Sequence, residues 1–429
     1  IVSFGPINHS DTANVYVGYP YKFFINNTHF IDGNLNQGLM GIGDFANIFY
    51  FQDKTTWLIR TSQFIPLCLV YMYMLKKNIN NLNLFIFITS PVLIQWLTIG
   101  KNNFLTESCI ALSFLVWEKN KDKIYLPYIL SIIFIAISFK ISAILVSIPI
   151  VLNIIFYYRN DINIKRIKNI RRYLTTPLLF SILSLLTILV YRYYLIANPF
   201  YPLFSDFFNH GDQQLLDWEN TLRGWDRTNL FPLWIFIPKS IGKLSFVLGP
   251  ANLLLFLNVI FNLIWGSIFK KRILLIGIMQ FILLIMFSQG RADYYIAPLI
   301  LVSIGSSGSF LNKFNLNLLS YSKPFFQLVV LTQLAMFIIS SLYSSLLVFY
   351  VLYDYENGMN KTAYNFYNSN KIDRLATQPV FNEITGMTHL YTSNYFVSNH
   401  KFNKCFYYQE GIPEKQKYEF CMNQEAVKT

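Results

Sequence analysis

Asp11 stands in Asn8-His9-Ser10-Asp11-Thr12, ahead of an aromatic run through Tyr16, Tyr19, Tyr21, Phe23 and Phe24. Polar residues followed by amphipathic aromatics suit a segment lying at a membrane interface. A carboxylate there can take a proton from a hydroxyl while staying close to a lipid headgroup; Ser10 or Asp11 can equally serve as a helix N-cap. Arg291, in Ser288-Gln289-Gly290-Arg291-Ala292-Asp293-Tyr294-Tyr295, can grip phosphate oxygens bidentately, which a lysine cannot. Its alternatives are a local pair with Asp293 or a snorkelling interfacial position. Arg223-Gly224-Trp225-Asp226-Arg227 has a composition frequent in sugar sites, an aromatic face for the apolar side of a pyranose and charges for its hydroxyls. An ordinary structured loop contains the same residues. His29 and His210 titrate in the range useful for acid–base work, but each stands alone in a polar loop and reads as solvated.

These residues sit in an unusually apolar chain. Of its 429 residues, 54% are hydrophobic and 13% charged, with a mean hydropathy of +0.37, where soluble domains carry about 25% charged residues. That balance predicts an all-α polytopic membrane protein. The net charge of +13 does not point to nucleic acid, because Lys and Arg fall between the hydrophobic runs, as in cytoplasmic loops. A spanning helix needs about 20 mostly apolar residues, which predicts spans over Trp57–Leu75, Leu82–Ile99, Phe104–Trp117, Ile124–Phe139, Ile141–Tyr158, Tyr173–Ile196, Leu244–Phe269, Ile273–Ser288, Tyr294–Phe310 and Phe325–Tyr353. The third is short, and only Lys140 separates the fourth from the fifth. The first residue is Ile rather than Met, so a first helix is expected to be missing and the full-length chain to have eleven.

The basic clusters fall on every second connector: Lys76-Lys77, then Lys119, Lys121 and Lys123, then Arg159 to Arg172, then Lys270-Lys271-Arg272, then Lys313 to Lys323. By the positive-inside rule these are cytoplasmic. Residues 1–56, the loop 197–243 and the segment 354–429 are then all external, leaving the bundle at 57–353. External cations are scarce: Lys101, Arg223, Arg227, Lys239, Lys243 and Arg291. Cys405 and Cys421, in the external C-terminal segment, are either free thiols or a disulfide closing a loop worth about 3 kcal/mol. Cys68 and Cys109 read as packing residues inside helices. Arg60 reads as snorkelling from the external end. The sequons at Asn8 and Asn26 read as products of an Asn-rich composition.

An Asp in the first external loop, an aromatic amphipathic segment, many helices and an external C-terminal region resemble the GT-C superfamily of polyprenyl-phosphate-dependent glycosyltransferases, in particular its bacterial mannosyl- and arabinosyltransferase-like group. The matching features are Asp11 with Tyr16 and Pro20, the Gly41-Ile42-Gly43-Asp44 turn, the Gly100-Lys101-Asn102-Asn103 connector, the Asn198-Pro199-Phe200-Tyr201-Pro202 start of the long loop, and Arg291 after a late helix. The resemblance covers the layout of most of residues 1–310 and does not extend into 354–429.

It implies an inverting transfer on the periplasmic face of a bacterial inner membrane, from a polyprenyl-phosphate sugar to a lipid-linked or cell-envelope glycan acceptor. Asp11 would be the base or help hold a divalent cation, magnesium or manganese, with Asp44 or Asp32 as a second acid. Relatives commonly have an Asp where this chain has Asn103, so that connector offers Lys101 to a phosphate but no carboxylate. A phosphate leaving group needs fixed positive charge, the role expected of Arg291 and Lys101.

Two rivals make different demands. An O-antigen polymerase or ligase would depend on Arg223 and Arg227 rather than on Asp11. A transporter or flippase would place charges at mid-membrane depth, where Glu107 is the one carboxylate well inside a run; it also reads as a residue near the end of a short span. No phosphate loop, HExxH or CxxC pattern occurs in the chain.

Overall fold

The computed structural model describes residues 38–46, 64–77, 79, 81–98, 101–121, 123–158, 175–208, 216, 232–239, 241–288, 291–306 and 319–357. Of these 83% are helical, and no strand occurs among them. The chain divides into two compact units, one of residues 1–62, 97–101 and 342–429, the other of residues 63–96 and 102–341.

In the first unit, Ile42–Phe45 forms a single helical turn. The Asp44 carboxylate accepts from the Gly41 N–H at 2.9 Å, while the Asp44 N–H donates back to the Gly41 carbonyl at 3.0 Å. Asp44 is fully buried, so this reciprocal pair supplies hydrogen bonds that water cannot.

The longer helices are α1 (Phe64–Lys76), α2 (Asn81–Ile88), α3 (Val92–Thr98), α4 (Asn103–Asn120), α5 (Leu126–Phe139), α6 (Ala143–Tyr158), α7 (Thr176–Ile196), α8 (Pro250–Trp265), α9 (Ile268–Phe287), α10 (Ile296–Gly305) and α11 (Leu319–Asn357). By length and hydropathy, two helical segments suffice to cross a membrane, Thr176–Ile196 and Pro324–Ser345. Helix α10 is the axis of the second unit: all ten of its residues are buried, against α2, α4, α8 and α9. Packing this close requires a small residue. A Cβ on Gly305 would come within 2.7 Å of Leu274 Cγ, so α9 and α10 meet where there is no side chain to separate them.

The elements differ from the sequence expectation in instructive places. The second expected span is broken at Thr89-Ser90-Pro91 into α2 and α3, since Pro91 has no N–H to continue the helix. The freed groups are satisfied locally and from afar. Thr89 and Ser90 hydroxyls return to the Phe85 and Ile86 carbonyls, the Val92 N–H reaches the Val247 carbonyl, and Gln333 of α11 donates to the Ile86 carbonyl at 2.7 Å. Gln333 also accepts from the Ala251 N–H at 3.0 Å, which starts α8 at Pro250, not at Leu244; the preceding Gly249 has φ +99°, a conformation open to glycine. Helix α9 begins at Ile268, so Lys270, Lys271 and Arg272 ride on its first turns rather than in a connector. The fourth and fifth spans are two separate helices, α5 and α6, and α11 continues past Tyr353 to Asn357.

The outer surface is apolar where the interior is polar. On α7, Phe180, Leu183, Val190 and Tyr194 face outward, Tyr194 at 83% exposure, while Ser181 and Arg192 are fully buried. On α11, Phe325, Leu328 and Leu342 are exposed while Gln333 and Ser340 are buried. Cys68 is likewise exposed, so it does not pack within the bundle as expected.

Basic connectors gather at one end of the second unit. Glu118, near the end of α4, pairs with Lys121 at 2.9 Å and with Arg272 of α9 at 3.4 Å. The Tyr158 hydroxyl, at the end of α6, donates to the Lys121 carbonyl. Lys77 is held below the ordinary lysine range by burial and by the like charges of Lys119 and Lys76, which places the ends of α1 and α4 together.

Candidate functional site

The opposite end of α4 carries the charges that read from sequence as functional. Asn103 opens the helix and Glu107 follows one turn later, so the two share a face. The first donors of α10, those of Ile296 and Ala297, have no carbonyl one turn back to receive them. Both donate to Glu107 Oε2, at 3.1 Å each. The next residue, Pro298, has no N–H, and the Leu299 N–H reaches the Tyr295 carbonyl. The helix start is thereby complete. Glu107 is only 1% exposed.

The 3₁₀ turn Ala292–Tyr294 leads into α10 and packs against α4. It brings Asp293, 2% exposed, within electrostatic reach of Glu107. Arg291 Nε lies 3.3 Å from Asp293 Oδ1, and its guanidinium carbon lies 5.7 Å from the centre of the Phe246 ring. Of the alternatives open from sequence, the local pair with Asp293 is therefore present. The fully buried Tyr295 ring packs 5.1 Å from Phe281.

Asn103 is 2% exposed, and neither its amide nitrogen nor its amide oxygen has a hydrogen-bond partner. It is not the N-cap: Asn102 is, and the Asn102 carbonyl takes both the N–H and the hydroxyl of Thr106. Next to it, Phe104 stacks on Trp96 at 4.9 Å.

Among the other sequence candidates, Lys101 lies in the first unit and is 7% exposed; Asp44 is in that unit too, with its carboxylate engaged by Gly41. Asp11, Asp32, Arg223, Trp225, Asp226, Arg227, Cys405 and Cys421 lie outside the described residues. Among the described residues no group of three or more His, Cys, Asp or Glu side chains is placed to hold a metal ion.

Asn198 to Pro202 proves to be a hydrogen-bonded corner. The buried Asn198 amide donates to the Leu203 carbonyl and the Ser205 hydroxyl and accepts from the Phe200 N–H, and Tyr201-Pro202 is cis. The buried Arg192 guanidinium donates to the Tyr201 carbonyl. Arg192 went unnoticed in the sequence, although an arginine inside the apolar run Leu189 to Ile196 is the signal that would find it. Asn252 and Gln333 were missed for lack of charge.

Comparison with known proteins adds no relative to this geometry: no protein-family model, curated protein or solved structure matches the chain.

Proposed function

We propose that the chain is a bacterial inner-membrane glycosyltransferase of GT-C type, inverting, which moves a sugar from a polyprenyl-phosphate donor to a lipid-linked or cell-envelope glycan acceptor on the periplasmic face. About ten helices cross the bilayer, and both ends of the chain are external. The observation that carries the reading is the sorting of charge along α4. Lysines and Arg272 surround Glu118 at one end, while Glu107, Arg291 and Asp293 gather at the other. From Glu107 to Glu118 the helix rises about 16 Å. The exposed apolar faces of α7 and α11 supply the lipid-facing surface such a protein needs.

In this reaction Asp11 takes the proton of an acceptor hydroxyl as that oxygen attacks the anomeric carbon. The bond from that carbon to the phosphate oxygen breaks, and the polyprenyl phosphate leaves with the electron pair. The negative charge growing on the phosphate calls for fixed cations, a role for Arg291 and for Lys101. Asp44 and Asp32 are the second-acid candidates; Arg223, Trp225, Asp226 and Arg227 are candidates for sugar contacts.

The test is transfer of radiolabel from polyprenyl-phosphate sugars in membranes containing Asp11→Asn. Loss of turnover with retained expression is expected. Full turnover removes Asp11 from the chemistry, and dependence on Arg223 and Arg227 instead favours a polymerase or ligase. A transporter is the second reading, favoured by the interrupted helix α2–α3 with Ser90, Asn252 and Gln333 beside it, because transporters build sites at broken helices. Uptake or flipping of labelled substrate without any new glycosidic bond would select it.

A further inference from the structure

The unmade hydrogen bonds of Asn103 are the least explained feature of the second unit. A buried primary amide ordinarily finds partners, and leaving both of its atoms unpaired is costly. Here the amide shares a helical face with Glu107, and the turn packed on that helix carries Asp293. Its ionisable groups already have partners: Arg291 pairs with Asp293, and Glu107 takes the first donors of α10. Such a set gives an ionic ligand little advantage. It does offer an amide donor, an amide acceptor and carboxylate acceptors, which is the complement of several adjacent hydroxyls.

We propose that Asn103, Glu107 and Asp293 form a subsite for a neutral polyhydroxyl group, the ring of a pyranose or furanose, with the Asn103 amide as its hydroxyl reader. The choice of a sugar among polyols rests on the transferase reading above. The assignment of a neutral hydroxylated ligand rests on the cluster itself.

The test uses the full chain in lipid nanodiscs and saturation-transfer NMR with methyl glycosides of glucose, galactose, mannose and arabinose, with inorganic phosphate as the ionic comparison. Asn103→Leu keeps nearly the same shape without the polar atoms. Ring-proton saturation of at least one glycoside is expected in the parent chain and is reduced about fivefold or more in the variant, as loss of one hydrogen bond demands. The melting temperature of the variant rises, because an unpaired buried amide has been removed. A raised melting temperature with undiminished glycoside binding, or no glycoside binding in the parent, overturns the proposal. Should Asn103→Leu fail to fold, Asn103→Asp makes the same comparison by removing the two N–H donors. Failure of the transferase reading is seen separately: glycoside binding that depends on Asn103, in a chain that transfers no sugar from any polyprenyl phosphate, retains the subsite and discards the enzyme.

Discussion

Replacing Glu107 by Gln asks what holds the central helix in place. Glu107 Oε2 receives two N–H donors from the start of α10 at 3.1 Å each. A neutral acceptor contributes about 0.5–1.5 kcal/mol per hydrogen bond. Gln keeps an acceptor oxygen in the same place, so Glu107→Gln is expected to cost less than about 1 kcal/mol. Glu107→Ala leaves both donors orphaned and opens a cavity, at a cost of about 3–5 kcal/mol. Thermal unfolding of the detergent-purified chain, followed by burial of a native-state thiol or by circular dichroism, orders the three proteins. A Gln variant as unstable as the Ala variant would refute the capping argument, since any acceptor oxygen at that place should hold α10.

Two further outcomes follow from the packing. Gln333→Leu orphans the Ala251 N–H, while the Ile86 carbonyl keeps the Ser90 hydroxyl, so the loss should be about 1–3 kcal/mol in the same unfolding assay. Gly305→Ala drives a methyl to 2.7 Å from Leu274 Cγ; the overpacking should cost about 1–3 kcal/mol, and the double variant Gly305→Ala, Leu274→Ala should recover part of it.

Helix existence was readable where an apolar run was long and uninterrupted, as in Thr176–Ile196. Boundaries failed where a polar residue in another helix decides them. Nothing local to Leu82–Ile99 says that Gln333, more than 230 residues later, accepts the cost of breaking the helix at Pro91. Likewise Leu244 to Gly249 is apolar enough to continue α8, but Gln333 and the positive φ of Gly249 fix the start at Pro250. At the site, Arg291 and Asp293 were legible as a pair from their spacing, whereas the link from Glu107 to α10 joins positions 189 and 190 residues apart. Asn103 was noticed in the sequence only as standing where relatives commonly have an Asp; nothing there showed its amide buried and unpaired.

The polar contacts have a common cause in the apolar exterior. Where the surroundings are as apolar as Leu, burying another Leu between helices gains little, and association depends on close packing and on hydrogen bonds across the interface. The second unit has such ties: Asn83 to the Ser303 carbonyl joins α2 to α10, Gln280 to the Val146 carbonyl joins α9 to α6, and Glu107 joins α4 to α10. Each reaches a backbone group, and Asn83 the Ser306 hydroxyl as well, so each fixes the register of its partner helix. Asn103 lies among these ties and makes none. A hydroxylated ligand would supply what the fold does not, partners for both atoms of an amide buried beside Glu107.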